Sequence, residues 1–180
     1  MDKQETAKKL RGQNFIEYVL KRMKGDSAFR SALRRADNPD TEYQSWEYLS
    51  GRGGCDLEKP WERLPFALIS AAVARSELNM DGYLGIGKAI AACYKDDGNN
   101  SDAAKSKLRR LIACSSIEEV CSVLRSLLRL IESKGVRLKY GQLLDELIYF
   151  GEGERAKIKW ASDFYGRRVE DDSVSPQVES

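Results

Sequence analysis

A chain of 180 residues, 42% of them hydrophobic and 32% charged, can bury a sizeable core as one domain or two small ones, and is neither disordered nor collagenous. Histidine is absent, which removes Ser-His-Asp and Cys-His catalysis, and Cys55, Cys93, Cys114 and Cys121 form no Cys-x-x-Cys pair of the kind a zinc site uses. No apolar run nears the ~20 residues of a membrane span, and the opening lacks the apolar middle of a signal peptide, so a cytoplasmic protein with small buried thiols is expected.

The net charge of +2 sums patches of opposite sign, so its distribution says more than the total. Acid gathers at Asp37 to Glu47, at Asp96-Asp97 and at Glu170-Asp171-Asp172. Cations gather at Lys21-Arg22, Arg34-Arg35, Lys105 to Arg110 and Lys157-Lys159. A surface segregated by charge is expected.

The first ten residues are polar and expected to fray. Residues 13–24 read as a helix with Phe15, Ile16, Val19, Leu20 and Met23 on one stripe. Asp26 caps the next helix, which carries Phe29 and Leu33 inward and stops near Asn38-Pro39, because proline disfavours helix in the residue before it. Arg34 and Arg35 fall in its last turn, where cations either complement the helix dipole or bind phosphate. Residues 42–49 read as a short helix bearing Tyr43, Trp46 and Leu49. Gly51-Arg52-Gly53-Gly54 lacks the Gly-Lys-Ser/Thr ending of a P-loop and reads as a flexible linker. Pro60 then opens a helix running to about Leu78. Its middle is apolar almost all round, so it is expected to be the buried spine of the first half.

Gly82 to Ala92 has the glycines of half a dinucleotide fingerprint but no strand before them, so its small residues are read as close helix packing, with Lys88 a single emerging cation. Residues 96–100 form a loop and the expected boundary between an N-terminal helical lobe, 13–95, and a C-terminal one, 101–168. Ser101 or Asp102 caps a helix with Ala104, Leu108, Leu111 and Ile112 inward. Lys105, Lys107, Arg109 and Arg110 then spread over the outer face, with no acid four residues on to neutralise them. Ser116-x-x-Glu119 is a capping box opening a helix that has Val120, Leu124, Leu127, Leu128 and Ile131 inward and Gly135 at its end. Arg125 and Arg129, one turn apart, add to the basic surface.

Leu143, Leu144, Leu147 and Phe150 mark the next helix, and Gly151 and Gly153 break it. In the last helix Ile158, Ala161 and Tyr165 are expected to share the inward face with Trp160 and Phe164 beside it, while Arg155, Lys157 and Lys159 face out. Residues 169–180 are expected to be a disordered tail. No strand pattern of useful length appears, so the fold class is all-α: two small packed helical lobes without a sheet.

Catalysis finds little support. Asp145 and Glu146 are helix neighbours about 100° apart and cannot converge on one substrate, and Asp96-Asp97 and Asp171-Asp172 sit in expected loops. No cofactor and no metal site is expected.

The ending Trp160-Ala161-x-Asp163-Phe164-Tyr165, after a Leu-rich helix with Glu146-Leu147, resembles the C-terminal signature of the CasB family, the small subunit of the type I-E CRISPR surveillance complex Cascade. Leu33-Arg34-Arg35 is similar to an Arg-Arg pair of that family, Gly87-Lys88-Ala89 to its Gly-Arg-Ala, and Lys107-Leu108-Arg109-Arg110-Leu111 to its basic Leu-containing helix. The resemblance covers roughly Asn14 to Arg168. Lys88 stands where the family usually has Arg, Phe150 where it often has Trp, and residues 41–60 fit it poorly. The resemblance implies a non-catalytic subunit that assembles as a pair along a guide-RNA-bearing complex. Its implied partners are a second copy of itself, the backbone and large subunits, and the displaced single-stranded DNA of the R-loop. That strand would be held by Arg34, Arg35, Lys88, Lys105, Lys107, Arg109, Arg110, Arg125 and Arg129 through phosphate contacts that read no bases.

Overall fold

The computed structural model describes residues 11–166; the expected frayed start and the tail after Arg168 lie outside them. The described chain is all helical, as expected, with helices α1 (Arg11–Met23), α2 (Ser27–Arg34), α3 (Trp46–Ser50), α4 (Pro60–Arg75), α5 (Ile86–Ala92), α6 (Asp102–Ile112), α7 (Ile117–Ser133), α8 (Tyr140–Ile148) and α9 (Arg155–Tyr165). Short 3₁₀ turns occupy Glu42–Ser45 and Gly98–Asn100, and a lone bridge pairs Leu84 with Leu138. No described helix is long and apolar enough to cross a membrane.

Local chemistry sets most of the boundaries. Asp26 accepts the Phe29 N–H at 2.8 Å and so satisfies one of the orphan donors that open α2. Ser101 rather than Asp102 caps α6, its Oγ accepting from the Ala104 N–H at 3.3 Å. At α7 the Ser116 Oγ accepts from the Glu119 N–H, while the Glu119 carboxylate reaches the Ser115 N–H at 2.7 Å, one residue earlier than a standard capping box closes. Gly135 ends that helix at φ +66°, a left-handed conformation that only glycine adopts without strain. Helix α2 stops at Arg34, short of Asn38, because the Ala36 and Asn38 amides turn back onto the Leu33 and Arg35 carbonyls.

Helix α4 is the spine. Pro60 occupies its first turn, residues 65–74 are all buried, and the helix ends at Arg75 rather than near Leu78. It packs against α1, α2, α7 and α8. Helix α1 lies on α8 so closely that a Cβ at Gly12 would collide with the Gly141 carbonyl oxygen. Helix α5 lies on α9 in the same manner, with Gly87 facing the Trp160 carbonyl. Elements from both sides of the 96–100 loop therefore pack on each other.

Two expectations need correction. The Gly51 to Gly54 segment is a closed turn, not a flexible linker: the Gly54 N–H donates to the Gly51 carbonyl, the Cys55 N–H to Leu49, and the Arg11 guanidinium to the Gly54 carbonyl at 2.7 Å. In α9 the buried face is Ala156, Trp160 and Phe164, whereas Ile158 is 66% exposed and Tyr165 52% exposed. A helix turns about 100° per residue, so Trp160 lies about 200° from Ile158 and the two cannot face one core together.

Candidate nucleic-acid interface

On α6 the burial of Ala104, Leu108 and Leu111 fixes the opposite face outward. Lys107, Arg109 and Arg110 are exposed there, with no ion pair or side-chain hydrogen bond among the described residues. Lys105 differs from the expectation. Its ammonium is half-buried and lies 4.0 Å from Asp102, an acid one turn ahead of it rather than one turn after. Lys88 is exposed and likewise unpaired among the described residues, on α5, a helix that packs on α6.

Arg129 is exposed on α7, which also packs on α6. Arg125 is only half-exposed, and its Nε is buried without a hydrogen-bond acceptor. Arg34 and Arg35 sit apart from this group in the chain, at the end of α2 against the C-terminal end of α4. The Arg34 Nε donates to the Ala74 carbonyl at 3.1 Å, and an Arg35 terminal nitrogen donates to Gln44 Oε1 at 3.2 Å. Arg30, one turn before Arg34, escaped the sequence reading. Its Nε donates to the same Ala74 carbonyl at 3.1 Å and a second nitrogen to the Ser76 carbonyl at 3.3 Å. The signal was present as an Arg30/Arg34 spacing of four, which puts both on one helix face.

Three acids of this region are engaged. Asp37 is bound by Arg75 at 2.9 Å, and Glu132 lies 3.9 Å from the same guanidinium. Glu42 pairs with Arg63 at 3.0 Å.

The carboxylate neighbours Asp145 and Glu146 diverge, as the helical geometry requires. Glu146 accepts from the Trp160 indole at 2.7 Å, the Lys159 ammonium at 2.8 Å and the Gln142 amide at 2.8 Å. Asp145 turns the other way and accepts from the Gly12 N–H at 2.8 Å. Burial pushes its carboxyl up to about 6, with the Gly12 hydrogen bond opposing. Both border a cleft of about 550 Å³ that also takes in Gln13, Tyr149, Arg155 and Lys159. Its acids and bases are interleaved, and no group of three metal-ligating side chains occurs among the described residues. All four cysteines are buried and free, and burial raises every thiol, Cys55 and Cys121 to about 12.

Residues 29–165 match the family model of CRISPR-associated protein Cse2. No curated protein matches the chain in sequence. Among solved structures, a Cse2-family CRISPR-associated protein of Thermus thermophilus superposes with TM-score 0.69 at 21% identity, over 87% of this chain and 98% of that one. A CasB protein of Thermus thermophilus gives TM-score 0.68 at 21% identity with the same coverage. A chain of a CRISPR RNA-guided surveillance complex gives 0.69 at 22% identity, over 87% of this chain and 92% of that one. These likenesses carry the fold, and the family match spans most of the chain. The protein belongs to the Cse2 family of CRISPR-associated proteins, the CasB family that its aromatic ending and basic helix resemble.

Proposed function

We propose that the chain is a non-catalytic structural subunit of a Cascade-type RNA-guided surveillance complex, in which its basic helical faces steady the displaced DNA strand of the R-loop. The observation that carries this reading is the exposed, unpaired set Lys107, Arg109 and Arg110 on α6, with Lys88 on the adjoining α5. An unpaired cation costs little in water and gains most where a phosphate replaces its counterion. Exchange of a DNA duplex for a guide heteroduplex is nearly balanced, so modest contacts to the freed strand are enough to tip it. Membership of the Cse2 family and the likeness to a chain of a surveillance complex support the assembly; the partners within it are, in this proposal, a second copy, the guide-RNA-bearing backbone and the large subunit. Division into lobes 13–95 and 101–168 belongs to the same proposal. Limited proteolysis is expected to cut within 96–100 and leave associated fragments, since α5 and α9 pack across that loop.

An adaptor with protein partners only is favoured by one observation: Tyr43 and Trp46 are exposed within the acidic stretch, and large exposed aromatics are frequent anchors at protein interfaces. A gel shift with single-stranded DNA at two salt concentrations separates the two. Phosphate neutralisation gives affinity that falls steeply with salt; no shift, or one insensitive to salt, favours the adaptor.

A further inference from the structure

We propose that Arg30 and Arg34 form a clamp for one backbone phosphate of single-stranded nucleic acid at the C-terminal end of α4. The proposal rests on the nucleic-acid reading above and adds a residue and a site to it. Both Nε atoms donate to the single Ala74 carbonyl, each at 3.1 Å, so they lie no more than 6.2 Å apart, the sum of those two distances. A carbonyl oxygen has two lone pairs and can hold both. Arginines four apart on a helix repel each other, and here they converge further instead of splaying into solvent.

The local charge is in surplus. Among the described residues, the only ion pairs of Arg30, Arg34, Arg35 and Arg75 are with Asp37 and Glu132, and both acids lie against Arg75. The helix C-terminus contributes only about half a negative charge. That surplus favours an anion as the ligand. Arg30 is locked by two carbonyls and Arg34 by one, so much of the side-chain entropy of binding is already lost in the free protein. The bonds use the Nε of Arg34 and the Nε and one terminal nitrogen of Arg30, so both terminal nitrogens of Arg34 and one of Arg30 make no hydrogen bond within the described residues. Those N–H groups are free to serve the oxygens of a phosphate.

Glutamine separates the clamp from simple helix capping, because its side-chain amide nitrogen sits the same number of bonds from Cα as the arginine Nε. R30Q and R34Q can keep the bond to Ala74 while losing charge. Binding of an oligothymidylate to the whole chain is measured by fluorescence anisotropy over a chloride series, beside a K107A/R109A/R110A variant. R30Q and R34Q are each expected to weaken binding several-fold and to flatten the salt slope by about 0.7, the value for one single-strand phosphate. The double variant should flatten it no further, because only one phosphate is shared. If R30Q/R34Q binds as wild type while K107A/R109A/R110A does not, the clamp fails and the nucleic-acid reading stands. Slope losses that add in the double variant mean two separate phosphates and overturn the clamp. A wild type that does not bind removes both. Inorganic phosphate at constant ionic strength supplies the last arm: protection of wild type by phosphate, with oligonucleotide affinity unchanged in the double variant, would make this a free-anion site and overturn the proposal.

Discussion

Helices α6 and α9 are both eleven residues long and both basic in sequence, yet the fold uses their cations in opposite ways. On α9, Lys157 lies 3.3 Å from Glu154 and over the Phe150 ring, and Lys159 lies 2.8 Å from Glu146. On α6, Lys107, Arg109 and Arg110 meet no acid among the described residues. Counting cations along a sequence thus overstates the charge available to a partner. Only those without an internal acid present their full charge to a phosphate.

The largest expected effect breaks α9 itself. Trp160 is wholly buried, packs beside Phe150 and donates to Glu146. W160A should cost about 3–5 kcal/mol, as large aromatic truncations in cores do, and leave one Glu146 oxygen without its donor. Chemical denaturation or loss of soluble expression measures it. A well-folded variant that lost only DNA binding would instead make the indole a base-stacking platform.

Next comes the comparison of the two basic helices. K107A/R109A/R110A should lower single-stranded DNA affinity for all sequences alike and flatten the salt slope by about two units, at about 0.7 per phosphate. Its stability should change little, since exposed positions usually stay within about 0.5 kcal/mol each. K157A/K159A should leave affinity and slope nearly unchanged. Equal loss in both variants, read by anisotropy, would end the distinction between paired and available cations.

A smaller effect comes from Asp145, whose carboxyl is raised to about 6 by burial. An unfolded aspartate titrates near ~4, so between those values the native state binds more protons than the unfolded one. Stability from this group therefore falls as pH rises through that window, and the cost is fully present above it. D145N keeps an acceptor for the Gly12 N–H. Its melting temperature should match wild type near the bottom of the window and exceed it at neutral pH. A constant difference across the range would remove Asp145 as the source.

The smallest effect concerns the thiols. Burial keeps Cys55 and Cys121 protonated at neutral pH, with values of about 12. Replacing all four cysteines by Ser or Ala should leave DNA affinity unchanged even where melting temperature drops. A folded variant that no longer binds would assign them a role.

What the sequence determined by itself lies within one or two turns of chain. Asp26, Ser101, Ser116 and Gly135 act on backbone groups three or four residues away, and the stripe Val120, Leu124, Leu127, Leu128 and Ile131 follows from the helical period, so both were legible. The all-α class and the exposed face of α6 follow from the same short-range rules. The closed turn at Gly51 to Gly54 was not legible, because its anchor is Arg11, more than forty residues away. The inward face of α9 was not legible either. Apolar residues lie on both of its sides, so two faces compete for the core, and the choice falls to a partner. Gly87 of α5 offers no Cβ where the Trp160 backbone arrives, and Glu146 of α8 offers the one acceptor its indole requires. The pairing of Arg30 with Arg34 likewise exists only because α4 ends beneath them, at a carbonyl that no residue of α2 encodes.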